Sequence, residues 1–225
     1  MKFSIKRLLV GAIIAMCASC ASADVLFTFN QSGSFGSGPF GTVLLHSLGP
    51  GSNEVQVTVT PQQPCCGFVD TGLEDFGFQL AVGFPAITSS NFVGGVPSGW
   101  TFNSPGGNTD GAGPFQYTID CVTVCGTGGN APNTNPFIFT LQATGLTEAT
   151  FVANASGHFF MADLCVNIVA GQCATTGPDG QPQSYTGAVW TSSGGPPNQV
   201  PEPGTVVLLG LALSSLAVMQ RRRVG

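Results

Sequence analysis

Apolar and polar residues alternate with a period of two in several stretches of the chain. In residues 54–60 (EVQVTVT) three valines fall on one side of the backbone and polar residues on the other. Because successive side chains of a β-strand point to opposite faces, this pattern predicts a half-buried strand. The alternation recurs at residues 25–29, 76–82, 115–119 and 137–143. No helical period appears between the two ends of the chain, so the pattern predicts an all-β protein.

Turn-forming residues separate these stretches. Clusters of Gly, Pro and Asn lie at residues 49–51, 105–108, 126–133 and 177–180. Weaker strand candidates lie at residues 43–46, 100–103, 149–153, 159–168 and 185–190. We count about nine to eleven strands and find no repeat or internal boundary, which predicts a single antiparallel β-sandwich, jelly-roll-like, over residues 24–191.

Charge is distributed very unevenly along the chain. All six basic residues lie at the two ends, and no Lys or Arg occurs between Asp24 and Val200, where ten acidic residues lie. Ten acids and no base give this body a formal charge of −10 with its histidines neutral. Such a body has nothing to neutralise phosphates, which argues against nucleic-acid binding. It also has no Lys for Schiff-base chemistry, and we expect a self-repelling extracellular domain.

The N-terminus has the three parts of a secretory signal peptide. Three basic residues within the first seven positions precede an apolar run of nine at residues 8–16. Small residues then end at Ala23, so cleavage is expected between Ala23 and Asp24, with residues 1–23 removed. A lipoprotein signal is the alternative, with Cys17 or Cys20 lipidated, but the residues around both cysteines fit that reaction poorly.

The C-terminus is also built in parts. Residues 192–199 (SSGGPPNQ) predict a flexible linker. The segment 205–219 is apolar and uncharged, and three arginines follow it directly. A basic cluster beside an apolar run is typical of a transmembrane helix whose basic end stays cytoplasmic. Fifteen helical residues reach only ~22 Å, so snorkelling arginines would have to help span the bilayer.

This tail resembles the PEP-CTERM sorting signal of exopolysaccharide-producing Gram-negative bacteria. The resemblance is carried by the motif Val200, Pro201, Glu202, Pro203 and Gly204, by the apolar run 205–219, and by the basic tail Arg221, Arg222 and Arg223. It implies recognition by an exosortase, a membrane-embedded cysteine transpeptidase-like enzyme that cleaves near the motif. Signal peptidase and the secretion translocon would act earlier, and the inner membrane would hold the chain transiently through its C-terminal helix. The mature protein would reach the outer surface or the biofilm matrix, where exopolysaccharide is the candidate partner.

Six cysteines remain after removal of the signal peptide. They are Cys65, Cys66, Cys121, Cys125, Cys165 and Cys173. An even number in an exported chain favours disulfides over free thiols. Cys165 and Cys173 flank the turn residues Ala170-Gly171, which predicts a cross-linked hairpin.

The other four cysteines leave several pairings open. Because Val-Thr-Val between Cys121 and Cys125 favours a strand, those two sulfurs would lie too far apart to bond. We therefore expect Cys65 and Cys66 to pair with Cys121 and Cys125. The alternative is a Cys121–Cys125 bridge with a Cys65–Cys66 bridge. A four-sulfur zinc site is also conceivable, but an oxidising compartment disfavours it.

The sequence offers no recognisable catalytic machinery, and we expect the protein not to be an enzyme and to need no cofactor. A Gly-x-Ser-x-Gly nucleophile elbow does not occur. His158 has Ser156 and Asp163 near it in sequence, yet it reads more simply as a strand-end histidine. The acidic segment around Asp70, Glu74 and Asp75 would be a weak calcium site or a glycosidase carboxylate pair, but we favour a solvated acidic loop over both.

The leading functional hypothesis is a structural or adhesive protein of the cell surface or extracellular matrix. A carbohydrate- or ice-binding module is the second, because β-sandwiches present flat faces. Thr58 and Thr60 share one side of a strand, but no regular threonine array is visible in the sequence. A secreted hydrolase is the third hypothesis.

Overall fold

The structure is a computed structural model of the chain. It describes residues 24–49, 51–70, 72, 74–109, 111–126, 130–174 and 186–191, and the backbone of 198–200. The predicted signal peptide, motif residues 201–204, the apolar run and the basic tail lie outside the described residues. Within the described residues, no helix is long and apolar enough to cross a membrane.

The described chain is mostly β-structure, as the alternation predicts, with irregular segments between the strands. Two single-turn 3-10 helices lie at Ser89–Asn91 and Glu148–Thr150. The strands are β1 (Asp24–Ser32), β2 (Ser37–Ser47), β3 (Glu54–Pro61), β4 (Gly67–Phe68), β5 (Phe76–Phe78), β6 (Trp100–Asn103), β7 (Asn108–Thr109), β8 (Gly113–Pro114), β9 (Tyr117–Cys121), β10 (Phe137–Gln142), β11 (Phe160–Cys165), β12 (Ile168–Val169), β13 (Gln172–Cys173), β14 (Thr186–Thr191) and β15 (Asn198–Val200).

One antiparallel sheet contains all the longer strands. Its order is β10-β3-β2-β1-β14-β11-β5-β9-β6, with β15 beside β1 and β4 beside β11. Strands β1, β2 and β3 form a meander, whereas β14 reaches β1 from the far end of the body. The pairs β12–β13 and β7–β8 are separate small hairpins.

The sheet curls so that its two ends meet over one core. Trp100 of β6 stacks on Phe137 of β10, with 3.9 Å between ring centroids, although β6 and β10 are the last and first strands of the order. Phe76 and Phe78 of β5 contact Phe139 of β10 across the same interior. Aromatic pairs at such distances add to the hydrophobic gain of burial. The two-sheet sandwich is therefore not confirmed, since the long strands follow one continuous hydrogen-bonded path.

The strongest alternation predicts burial correctly. Val55, Val57 and Val59 are fully buried, and the polar residues between them are half-exposed. Two other expectations, one from a weaker candidate and one from an alternating stretch, fail in part. Residues 148–150 form a 3-10 helix that Thr147 caps, rather than the strand expected at 149–153. The strand expected at 76–82 ends at Phe78, and Val82 lies fully exposed in a turn.

The disulfides correct the pairing that we favour from sequence. Cys65 bonds Cys66, and Cys121 bonds Cys125 with Cα atoms 5.8 Å apart. The reason is that β9 ends at Cys121, after which the amides of Val122 and Thr123 both donate to the Gly99 carbonyl. Those bonds curl the chain, so the expected strand over Val-Thr-Val does not form. All four sulfurs of the conceivable zinc site are thereby taken up in disulfides.

The predicted hairpin cross-link agrees with the structure. Cys165, the last residue of β11, and Cys173 of β13 are bonded with Cα atoms 5.7 Å apart, so the bond closes the loop that contains the β12–β13 hairpin. Ala170 and Gly171 form its turn with φ values of 51° and 79°. Positive φ at both positions is the conformation of a two-residue hairpin turn, for which glycine is suited.

Candidate functional site

The expected start of the mature chain and the first residue of the sorting motif are neighbours in the fold. Asp24, the expected first residue of the mature chain, begins β1 and pairs with Val200, the first residue of the sorting motif. Val25 pairs with Gln199 and Leu26 with Asn198. The last two residues of the predicted linker, Asn198 and Gln199, thus lie in a strand.

The start of β1 is also fixed by a side-chain contact. The Asp24 carboxylate lies 2.5 Å from Nδ1 of His46 on the neighbouring strand β2. This contact lies on the outer face of the sheet, where both side chains are partly exposed. It ties the expected mature N-terminus to the body, a feature that the sequence did not predict.

The outer face of β1, β2, β3 and β10 carries ordered rows of side chains. Thr28, Thr42 and Thr60 lie opposite one another across three adjacent strands. Adjacent strands are about 4.8 Å apart, so the row repeats at that spacing. The next row contains Leu26, Leu44, Thr58 and Ile138, and these side chains are half-exposed or exposed. The sequence shows only Thr58 and Thr60 together, because the rows depend on strand register.

The acidic segment at 70–75 does not gather its carboxylates at one point. Asp70 accepts a hydrogen bond from the amide of Gly72, which closes a local turn. Asp75 is fully buried, and its Oδ2 accepts a bond of 2.6 Å from the Cys121 amide. Among the described residues, no group of three His, Cys, Asp or Glu side chains could hold a metal ion. The structure therefore does not bring Asp70, Glu74 and Asp75 together as such a group.

Asp120 is the acidic residue that the sequence did not single out. Burial raises the pKa of Asp120, and the nearby charges of Glu74 and Asp70 raise it further. Asn103 donates a hydrogen bond of 2.5 Å to Oδ2 and opposes this rise. In the described part of the chain, no donor reaches the buried Oε2 of Glu74 or Oδ1 of Asp120. The Asp75 amide also donates to the Asp120 carboxylate and, like Asn103, lowers its pKa.

His158 does not assemble a catalytic triad with its sequence neighbours. Its Nδ1 lies 3.3 Å from the Thr191 carbonyl, and its ring packs against Trp190. Burial lowers the pKa of His158, while the Thr191 contact acts in the opposite direction. The Ser156 amide bonds Asn154, and Asp163 lies within β11 opposite Ala188. The arrangement is that of a histidine at the start of a strand.

Comparison with known proteins identifies only the tail. Residues 199–223 match the PEP-CTERM protein-sorting motif. No curated protein and no solved structure matches the chain. The match begins at Gln199, within β15, so the described body and the sorting region overlap at the edge of β1.

Proposed function

Because the chain carries a PEP-CTERM protein-sorting motif at residues 199–223, we propose that its body is a structural component of the extracellular matrix. The motif makes the chain an exported protein that an exosortase sorts, with the cell surface or the extracellular space as its destination. The observation that carries this proposal is the ordered tail: motif, apolar run and three arginines in succession.

Two features of the body support a structural role. Its surface charge is of one sign, with ten acids and no Lys or Arg between Asp24 and Val200, which favours solubility in the matrix. Several charged or titratable groups serve local contacts: His46 lies against Asp24, and Asp75 accepts from the Cys121 amide. We propose that the body is not an enzyme and that neutral contacts, including contacts to exopolysaccharide, hold it in the matrix.

A single substitution in the motif tests the sorting assignment. Glu202 is the only charged residue of the motif Val200–Gly204, so we propose that it is the handle for recognition. Glu202→Ala should leave export intact but keep the protein in the inner membrane with its tail uncleaved. Glu148→Ala, a change of the same kind within the body, is the matched control and should mature normally.

Fractionation and intact mass read out this experiment in strains with and without the exosortase. Deleting Arg221–Arg223 should release some unprocessed chain, because the basic cluster holds the C-terminus inside. The assignment is wrong if the tail is removed equally in both strains. N-terminal sequencing of the exported protein should begin at Asp24, and a lipidated cysteine there would favour the lipoprotein route instead.

A second candidate function is binding of a neutral, hydroxyl-rich surface, either carbohydrate or ice. The row Thr28, Thr42 and Thr60 favours it, because hydroxyl and methyl groups repeat there without any charge. Thr42→Lys would place a long charged side chain in the middle of this row and should abolish binding. Val82→Lys, at a fully exposed turn position outside these strands, is the control. A glycan array and an ice-recrystallisation assay would decide between the two ligands. If the protein has no effect in both assays, the candidate function is wrong.

A further inference from the structure

The edge of β1 that faces away from β2 is paired with two separate pieces of chain. Strand β14 pairs with β1 from Ser32 back to Phe29, where Thr191 lies opposite. Strand β15 resumes on the same strand at Leu26, which lies opposite Asn198. Along β1, only Phe27 and Thr28 separate the two pairings. Along the partner chain, six residues (192–197) lie between β14 and β15. Strand β15 therefore continues β14 along one edge after an insertion.

This continuation covers an edge that would otherwise be open. The backbone groups of Asp24–Leu26 on that side have β15 as their partner, since β2 occupies the opposite side of β1. An unpaired strand edge readily accepts another extended segment. The inward side chains Val25 and Phe27 are buried, and Phe27 packs against Phe160 at 4.9 Å between ring centroids. The acceptor strand is thus firmly held, while the docked strand is only three residues long.

Docking brings the sorting motif close to the body. Val200 is the last residue of β15, and only four residues, 201–204, separate it from the apolar run that begins at Thr205. Four extended residues reach at most about 14 Å. While β15 is docked, the folded body must therefore lie directly beside any enzyme that cleaves near the motif.

We propose that β15 is a latch: its pairing with β1 withholds the chain next to the sorting motif from the processing enzyme. This inference rests on the proposed exosortase sorting. Backbone groups already bonded within a sheet are not free to bind in a peptidase cleft, so cleavage requires β15 to detach. A three-residue ladder at the end of a strand opens at low free energy, so processing proceeds at a rate set by the open fraction. The folded body thereby regulates its own release.

A reversible cross-link tests the latch in the full-length chain. Leu26 and Asn198 lie directly opposite each other, and Cβ atoms at such positions are about 4.5–5.5 Å apart, close enough for a disulfide with small adjustments. Leu26 is half-exposed on the outer face and Asn198 precedes the motif, so the double variant L26C/N198C leaves both core and motif intact. Peptide mapping confirms the cross-link. The matched control is L26S/N198S, which cannot cross-link.

We expect the cross-linked protein to lose its tail at least about tenfold more slowly than the serine control. The reason is that the disulfide keeps β15 paired with β1, and cleavage requires this pairing to open. The opposite variant, N198G/Q199G, weakens the strand because glycine disfavours extended pairing. It should be cleaved about two- to fivefold faster, and amide hydrogen exchange in residues 24–26, which pair with β15, should accelerate in parallel.

Each outcome bears on one assignment. Tail removal that is independent of the exosortase contradicts the sorting function. Exosortase-dependent cleavage at equal rates in the cross-linked and serine variants contradicts the latch alone. Equal hydrogen exchange of residues 24–26 in the wild type and the glycine variant also overturns the latch, because it would show that β15 does not protect β1.

Discussion

At the scale of single residues, the body stabilises its acidic groups without any Lys or Arg. Asp75 accepts from the Cys121 amide, and Asp120 accepts from Asn103, so amides take the place of cations. A hydrogen bond to a charged group contributes about 1.5–3 kcal/mol, which offsets part of the cost of burying a carboxylate. The offset is incomplete at Asp120, where burial and like charges raise the pKa.

We expect Asp120→Asn to stabilise the protein at neutral pH. The folded protein binds the Asp120 proton more tightly than the unfolded chain, in which the carboxyl has its ordinary pKa of 3.8. Stability from this group is therefore lost as the pH rises from 3.8 through the raised folded pKa. Asn stays neutral and still accepts from Asn103, so the variant should melt a few degrees higher at neutral pH.

Thermal unfolding followed across this pH range checks the prediction. The difference in melting temperature between the variant and the wild type should shrink as the pH falls towards 3.8, because the wild-type carboxyl also becomes neutral in the folded protein. A melting temperature below that of the wild type at neutral pH would mean that the charge of Asp120 is stabilising, and the burial argument would fail.

At the scale of elements, strand register decides which side chains are inside. Strand β2 shows this with two adjacent leucines: Leu45 is fully buried, whereas Leu44 lies in the outer row beside Thr58. A register shift of one residue would exchange them. The same registers align Thr28, Thr42 and Thr60, so the outer face and the core are two results of one set of pairings.

The two leucines give a matched pair of variants. Leu45→Ala should lower the free energy of unfolding by about 2–5 kcal/mol, because it removes buried methyl groups and leaves a cavity. Leu44→Ala should cost less than about 1 kcal/mol, because the side chain stays partly hydrated. Denaturant unfolding of both variants measures the difference. Equal losses, or a larger loss for Leu44, would contradict the register of β2.

At the scale of the whole molecule, long-range pairing holds the fold and the disulfides brace local turns. The bonded cysteines are separated by one, four and eight positions, so each bond closes a short loop. The sheet instead joins distant segments, as in the pairing of β1 with β14 and of β3 with β10. The topology of the body therefore does not depend on the cross-links.

Reduction of the folded body should lower its melting temperature by several degrees without unfolding it at room temperature. The nine-residue loop closed by Cys165 and Cys173 is worth roughly 2–3 kcal/mol on the chain-entropy model, and the shorter loops contribute less. The double variant C165A/C173A should reproduce the largest part of the loss, and C65A/C66A the smallest.

Thiol titration together with thermal melting of the exported protein measures these effects. Six free thiols in the native exported protein would contradict the disulfides themselves. Loss of cooperative unfolding on reduction would instead show that the cross-links, rather than the sheet, hold the body together.

The sequence by itself determined the β-class of the body, its most regular strands, the hairpin at Cys165–Cys173 and the sorting tail. These are local properties: alternation, turn residues and an ordered motif are written in consecutive positions. The valines of β3 lie inside because their spacing alone requires a common face.

The tertiary structure decided what depends on distant partners. The order of strands, the curl that brings Trp100 onto Phe137 and the rows of threonines follow from pairings between remote segments. Cys121 and Cys125 bond because the amides of Val122 and Thr123 donate to the Gly99 carbonyl, and this turns the chain away from the strand that Val-Thr-Val favours. Residues 198–200 form strand β15, although 198 and 199 lie in the predicted linker, because the backbone of Asp24–Leu26 in β1 pairs with them. In each case the free energy of a long-range contact outweighs a weak local preference, and only the folded chain contains that contact.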